Sequence, residues 1–318
     1  MKLLISCVNT LVSLIGFDTD TQKPFWYLPS NILKSCGICY FNESLLISAD
    51  DTIVRVGREG VSHVRLPGPY NNVAHSVRKF GDMIAVADTG NSRVLVTDQE
   101  MRHFVAFDPV EAWSERPSDA IHINDVLVLD DEILTSCFNY QPFRHFADPK
   151  CDWRHAKLGL VLGMRKFDGK TITRVVASGL DFPHSLSIEE DKLYCCSSVR
   201  GEFVEFLLNP LGVFNYSKSW KVTDKKFLRG ALRQGGMWYL GGSSVRGEEG
   251  ERSTMSLFGL NTETGDIHEM WVAEVGEIYD ILPWHDAIVR PLVEVMNRLP
   301  AQDLDWGEFP PVIALPAF

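Results

Sequence analysis

Short runs of Val, Ile, Leu, Tyr and Phe alternate along nearly the whole chain with Gly, Asn and Asp, and stretches with the apolar period of a helix are scarce. Branched and aromatic side chains suit a pleated surface, whereas Gly, Asn and Asp supply the tight turns between strands. The pattern predicts an all-β protein with one short helix, around Pro291 to Arg298. The runs also repeat. Stretches anchored at Gly37, His75, Asn124, His184, Arg229 and Tyr279 superimpose as strand, two-residue turn, strand, with successive anchors 38, 49, 60, 45 and 50 residues apart. A four-stranded propeller blade needs about 40 to 50 residues, so the period predicts a six-bladed β-propeller with an insertion in its third unit. Ser197-Ser198-Val199-Arg200-Gly201 recurs as Ser243-Ser244-Val245-Arg246-Gly247 at the same place in the repeat, which argues for duplication.

The last copy, at Tyr279, runs out of strands after Trp284, while the N-terminus has strands to spare: Leu3 to Cys7, Leu11 to Phe17 and Phe25 to Leu28. Pairing them with the Tyr279 strand closes the ring and leaves no open sheet edge at the join. Residues 1–318 then form one propeller domain, with 1–30 completing the last blade, 141–157 an aromatic-rich insertion placed as a lid or a subunit contact, and 285–318 a tail. The apolar start could pass for a signal peptide, but Ser6, Asn9, Thr10 and Ser13 interrupt it and no small-residue cleavage site precedes Asp18.

A formal charge of -11, without any Lys/Arg run, gives no footprint for a nucleic-acid backbone, and no stretch reads as a membrane span. Seven cysteines, two of them adjacent at Cys195 and Cys196, fit reduced thiols and a cytoplasmic location better than a disulfide framework. No G-x-S-x-G, G-x-G-x-x-G or Walker-type motif occurs.

In a propeller the first strand of each blade lines the central channel, so the six anchors are expected to converge at one mouth. His122, two residues before Asn124, points the same way by strand alternation. His75, His122 and His184 are the candidate ligands of a divalent metal (zinc, iron or copper), with Glu277 or Asp280 as a further group, because three imidazoles with an open position suit carbonyl polarisation or water activation. A water-filled polar funnel would use the same histidines without a metal. Tyr279 or Asp280 would move a proton and Arg229 would clamp an anionic group. The loops after the second strands carry Asp88, Asn91, Asn139, Tyr140, Ser198, Arg200, Ser244 and Arg246. Of these, Arg200, Arg246 and Tyr140, with Asn124 and Arg144, are expected to bind substrate. The expected guest is a small molecule bearing a carboxylate or phosphate.

Ala87-Asp88-Thr89-Gly90-Asn91-Ser92-Arg93-Val94 resembles the ADTGNxRV core of NHL repeats, which build six-bladed propellers. Phe182-Pro183-His184-Ser185-Leu186, Leu228-Arg229-Gly230-Ala231-Leu232 and Glu277-Ile278-Tyr279-Asp280-Ile281 resemble the PHS, RGL and EIYD segments of an uncharacterised bacterial propeller family. That resemblance implies the fold and supplies no activity. A looser likeness, to the amidating lyase that cleaves peptidyl-hydroxyglycine, implies channel histidines around a metal beside a tyrosine and an arginine, parts that His75, His122, His184, Tyr279 and Arg229 would play. The expectation is therefore a metal-dependent lyase, hydrolase or cyclase. A non-catalytic binding or scaffold propeller, or an iron or copper oxidative enzyme, are the alternatives.

Overall fold

The computed structural model describes residues 1–298 except 9, 31–32, 59, 70–73, 115–116, 130, 142–157, 211, 245–253 and 274–275. It is a ring of six four-stranded antiparallel sheets, an all-β six-bladed propeller as the repeat predicts. Blade 1 runs from Ile38–Phe41 outward to Gly60–Arg65, blade 2 from Ala74–Phe80 to Phe104–Phe107, and blade 3 from Ile123–Val128 to Lys170–Leu180. Blade 4 runs from Pro183–Glu189 to Phe214–Lys221, and blade 5 from Lys226–Gln234 to Ile267–Ala273. Blade 6 joins the two ends of the chain: its innermost strand, Glu277–Pro283, pairs with Lys2–Val8, which leads on to Val12–Asp18 and Lys23–Pro29. The apolar N-terminus is therefore sheet. No helix among the described residues is long and apolar enough to cross a membrane.

Each core lies between two neighbouring blades, and this explains why the second strands read as continuous apolar runs. In Met83–Asp88, Ile84 and Val86 pack toward blade 1 while Ala85 and Ala87 pack toward blade 3. Both faces of the sheet are buried, so alternation of apolar with polar residues is lost. The blade 4–5 core is the most aromatic, with Tyr194, Phe203 and Trp238 in mutual ring contact at 4.8–5.6 Å.

The helix begins earlier than expected, at Asp286, and encloses Pro291. Proline favours the first helical position, which placed the start there on sequence grounds. The His285 carbonyl instead accepts from both Ile288 and Val289 at 3.0 Å, starting the helix a turn ahead. Ile288, Val289, Leu292 and Val293 then cover the join of blades 6 and 1. Residues 142–157 of the insertion, Arg144 among them, Arg246 and the tail from 299 lie outside the described residues.

Candidate functional site

The innermost strands deliver their anchors to the channel by a shared device. In blades 2 to 6 the pairing register shifts at or beside the anchor: between Ala74 and Val77, Ile123 and Asp125, His184 and Ser187, and Arg229 and Ala231, and opposite Tyr279. A β-bulge bends the strand and re-aims the side chain at the extra residue. His75, Asn124, His184, Arg229 and Tyr279 are thereby turned toward the axis, and the residues two positions earlier, His122, Phe182, Phe227 and Glu277, form a second tier beside them.

The side chains of these tiers close into a collar. His75 lies 5.1 Å from His122, centroid to centroid, and 5.4 Å from Tyr279. The Arg229 guanidinium stands 5.5 Å over the Tyr279 ring and 4.5 Å over Phe227. Phe227 meets Phe182 at 6.2 Å, Phe182 stacks on Phe138 at 4.1 Å, and Phe138 returns to His122 at 4.4 Å. His184 is enclosed by the collar, edge-on to Phe138, Phe227 and Tyr279. Convergence of the histidines is what the repeat predicts; the phenylalanines are an addition, recognisable in hindsight as the aromatic position two residues before the anchors of blades 4 and 5.

Hydroxyl bookkeeping assigns the imidazole tautomers. Thr89 spends its single hydroxyl hydrogen on the Ile123 carbonyl at 2.6 Å, so its oxygen accepts from His75 Nδ1 at 2.6 Å. Ser198 donates to the Leu228 carbonyl at 2.5 Å and accepts from His184 Nδ1 at 2.8 Å, which also lies 2.9 Å from the Phe182 carbonyl. The Asp119 carboxylate accepts from His122 Nδ1 at 2.7 Å. In each neutral ring the lone pair is then on Nε2. The NHL-like segment supplies part of this support. Asp88 accepts from Asn91 and Arg93, both at 2.9 Å, and closes the short turn Thr89–Asn91 that presents Thr89 to His75. Replacing Thr89 by valine is expected to release the His75 tautomer, visible as a changed Nδ1/Nε2 pattern for that ring in nitrogen-15 spectra, with the melting temperature lowered by a few degrees at most.

Buried polar atoms of the collar with no hydrogen-bond partner among the described residues include His184 Nε2 and Tyr279 Oη. Burial, reinforced by the Arg229 charge, holds the His184 pKa well below its usual 6.5, so the imidazole is neutral at physiological pH. Burial pushes the Tyr279 phenol well above its usual range, so it keeps its proton. Arg229 is ion-paired with Glu277 through Nη1, while its Nε is buried without a partner. Asn124 donates to the His122 carbonyl at 3.2 Å and keeps an unpartnered Oδ1.

Other candidates are placed elsewhere. Asp280 takes a salt bridge from Arg78 at 2.6 Å and the Ile38 backbone N–H at 3.1 Å. Arg78 also reaches Asp125 at 3.2 Å, and Asp125 accepts from Ser76 at 2.5 Å and from Leu186 N–H at 2.7 Å. Asp125 and Asp280 each follow an anchor directly, on opposite blades, and Arg78 spans between them. Burial lowers and the two carboxylates raise the Arg78 pKa, with the carboxylates dominant; burial raises Asp280 in spite of Arg78. Arg200 is engaged by Asp181 at 2.5 Å, with Glu202 at 3.7 Å. Tyr140 donates to the Pro109 carbonyl at 2.8 Å and packs on Trp113, away from the collar contacts. Cys7, Cys137, Cys195 and Cys196 are buried thiols whose pKa values burial pushes up, Cys137 to about 12, so none is a ready nucleophile. Among the described residues no group of three or more His, Cys, Asp or Glu side chains is gathered closely enough to hold a metal ion.

Comparison with known proteins bears on the architecture. No protein-family model and no curated protein matches the chain. A chain of a nidogen–laminin complex is 12% identical with a TM-score of 0.60, over 88% of this chain and 97% of that one. A protein of unknown function from Bacteroides caccae gives 12% and 0.59 over 89% and 98%. Regucalcin from Agrobacterium tumefaciens, a calcium-binding protein, gives 10% and 0.51 over 76% and 75%. The likeness is one of fold. At such identities the residues of the collar belong to this chain and have to be read from its own chemistry.

Proposed function

We propose that the collar is the active site of an enzyme that transfers a proton on a small, anion-bearing substrate, in chemistry of the lyase, hydrolase or cyclase type. One observation carries the reading: a buried acceptor, His184 Nε2, and a buried hydroxyl, Tyr279 Oη, neither partnered among the described residues, on rings 6.4 Å apart. An unsatisfied buried polar group costs about 1–3 kcal/mol, and a guest that bonds both recovers that cost. A neutral imidazole accepts a proton and a phenol donates one, the two roles that general base and general acid require. Arg229 adds a positive charge beside them, fixed by Glu277 on one side and by the faces of Phe227 and Tyr279 on the others. Asp280, committed to Arg78, is left out of the proton transfer.

The test is a thermal-shift panel of small carboxylates, phosphates and lactones, followed by turnover assays on the compounds that stabilise the protein. His184→Ala and Tyr279→Phe are each expected to lower turnover by about 10²–10⁴-fold while leaving the fold intact. A stabilising compound whose binding and turnover are the same in both variants would sink the proposal.

The tautomers leave room for a second reading, in which His75, His122 and His184 draw closer than they stand here and hold a divalent ion through Nε2. Metal-bound imidazoles are commonly oriented by an oxygen acceptor on the other nitrogen, and Thr89, Asp119 and Ser198 stand in that position. Zinc, iron or copper would suit three such nitrogens, and a bound ion would supply Lewis acidity to a substrate oxygen. Metal analysis of protein purified without a histidine tag decides it. Near-stoichiometric metal, lost in His75→Ala and His184→Ala, is expected; wild type that retains none after incubation with each ion overturns this reading and leaves the first standing.

A further inference from the structure

The collar has two chemically different halves. His75, His122, Arg229 and Tyr279 form a polar arc, and Phe138, Phe182 and Phe227 form an apolar one, with Phe138 and Phe182 nearly parallel at 6°. Phe182 and Phe227 are only part-buried, whereas Phe138 is fully covered, so the first two form the exposed lip of the apolar arc. The backbone is bent to put them there. Phe182 and His122 occupy the same position of successive blades, and both are left-handed, with φ of 49° and 50°. A bulky residue seldom adopts that conformation, and strain retained at two equivalent positions marks a placement that serves the site.

From this arrangement, and resting on the reading of the collar as a substrate site, we infer that the substrate is a planar unsaturated ring bearing the anionic group, of which an aromatic carboxylate is the simplest case. The ring would lie against Phe182 and Phe227, while the carboxylate would meet Arg229 Nε, a donor left without a partner, and Tyr279 Oη stays with the reacting atom. A cationic guest is disfavoured, because the Arg229 guanidinium already covers the faces of Phe227 and Tyr279 and would repel it. A short aliphatic acid would satisfy the polar arc and leave the apolar one unused.

The experiment titrates the full-length protein with benzoate, cyclohexanecarboxylate and acetate, reading affinity by calorimetry. Benzoate is expected to bind roughly fivefold tighter than cyclohexanecarboxylate, the gain from aromatic contact beyond area burial, with acetate weakest. Phe182→Leu should remove the preference for benzoate over cyclohexanecarboxylate while changing acetate binding by less than about twofold, and Phe227→Leu should remove the same preference while also weakening acetate, because its ring holds Arg229. Either variant serves if the other melts early. Equal binding of benzoate and cyclohexanecarboxylate by wild type, or a preference that survives in both leucine variants, overturns the ring inference and leaves the anion site standing. Failure of all three acids to bind overturns both.

Discussion

Replacing Arg78 with methionine is expected to lower the free energy of unfolding by about 3 kcal/mol at neutral pH, near the lower end of what removing one partner of a buried ion pair costs. The lower end applies because the Arg78 side chain is 24% exposed while Asp125 and Asp280 are only 4% and 5%. Methionine replaces much of the aliphatic stem, so the loss is chiefly electrostatic: two buried carboxylates from opposite blades would face one another without the cation between them. The pH dependence gives the sign. Asp280 already has its pKa raised by burial, against the pull of Arg78, and removing Arg78 raises it further. The folded variant then holds a proton that the unfolded chain has released, so stability is retained below the ordinary carboxylate pKa and falls as pH rises through the elevated one. Urea unfolding at about pH 5 and about pH 7.5 should therefore show a smaller deficit at the lower pH, and adding Asp280→Asn should restore part of the stability at the higher one. A deficit under about 1 kcal/mol at both values, or one that grows on acidification, would show that the cluster is not a charge-balanced unit.

That cluster also marks where sequence reasoning stopped. The turn residues and the doubly apolar strands are local features repeated six times, so the blade count and the closure of the ring by the N-terminal strands were legible. So was the arrival of His75, His122 and His184 at one collar, since all three derive from repeat positions. The partner of Asp280, by contrast, is 202 residues away, and Arg229 and Glu277 are 48 apart. Nothing in a local pattern distinguishes an acidic residue poised for proton transfer from one committed to an arginine on another blade. The bulges were hidden for a related reason: a register shift depends on both strands, and the anchor strand alone does not reveal it. Phe182 and Phe227 stand two residues before their anchors, a position shared with His122, and that shared position is a signal legible in the sequence.

Gly37 is the anchor whose side chain is missing, and adding one is expected to act on the site through the backbone. A Cβ there would stand 2.7 Å from Ser76 Cα, 2.8 Å from the His75 carbonyl oxygen and 2.8 Å from Val77 N. These are main-chain atoms of the neighbouring blade and have no rotamer by which to withdraw. The strand cannot retreat easily either, because Gly37 N–H donates to Ser48 Oγ at 2.7 Å and Ser48 Oγ lies 3.2 Å from both the Gly37 and His75 carbonyls. Gly37→Ala should therefore cost about 1–3 kcal/mol as overpacking and push the inner strand of blade 2 outward. His75 moves with that strand, so its contacts with His122 and Tyr279 should loosen, and benzoate affinity should fall along with the urea midpoint. Gly259→Ala is the matched control: its added Cβ would meet nothing nearer than Met237 Cε at 3.5 Å, an ordinary contact. At that position alanine should be neutral or slightly stabilising, because it restricts the unfolded chain without crowding the folded one. Equal losses in the two variants would mean that glycine matters at position 37 only as a strand residue; a loss confined to Gly37→Ala ties the geometry of the collar to the close approach of blades 1 and 2.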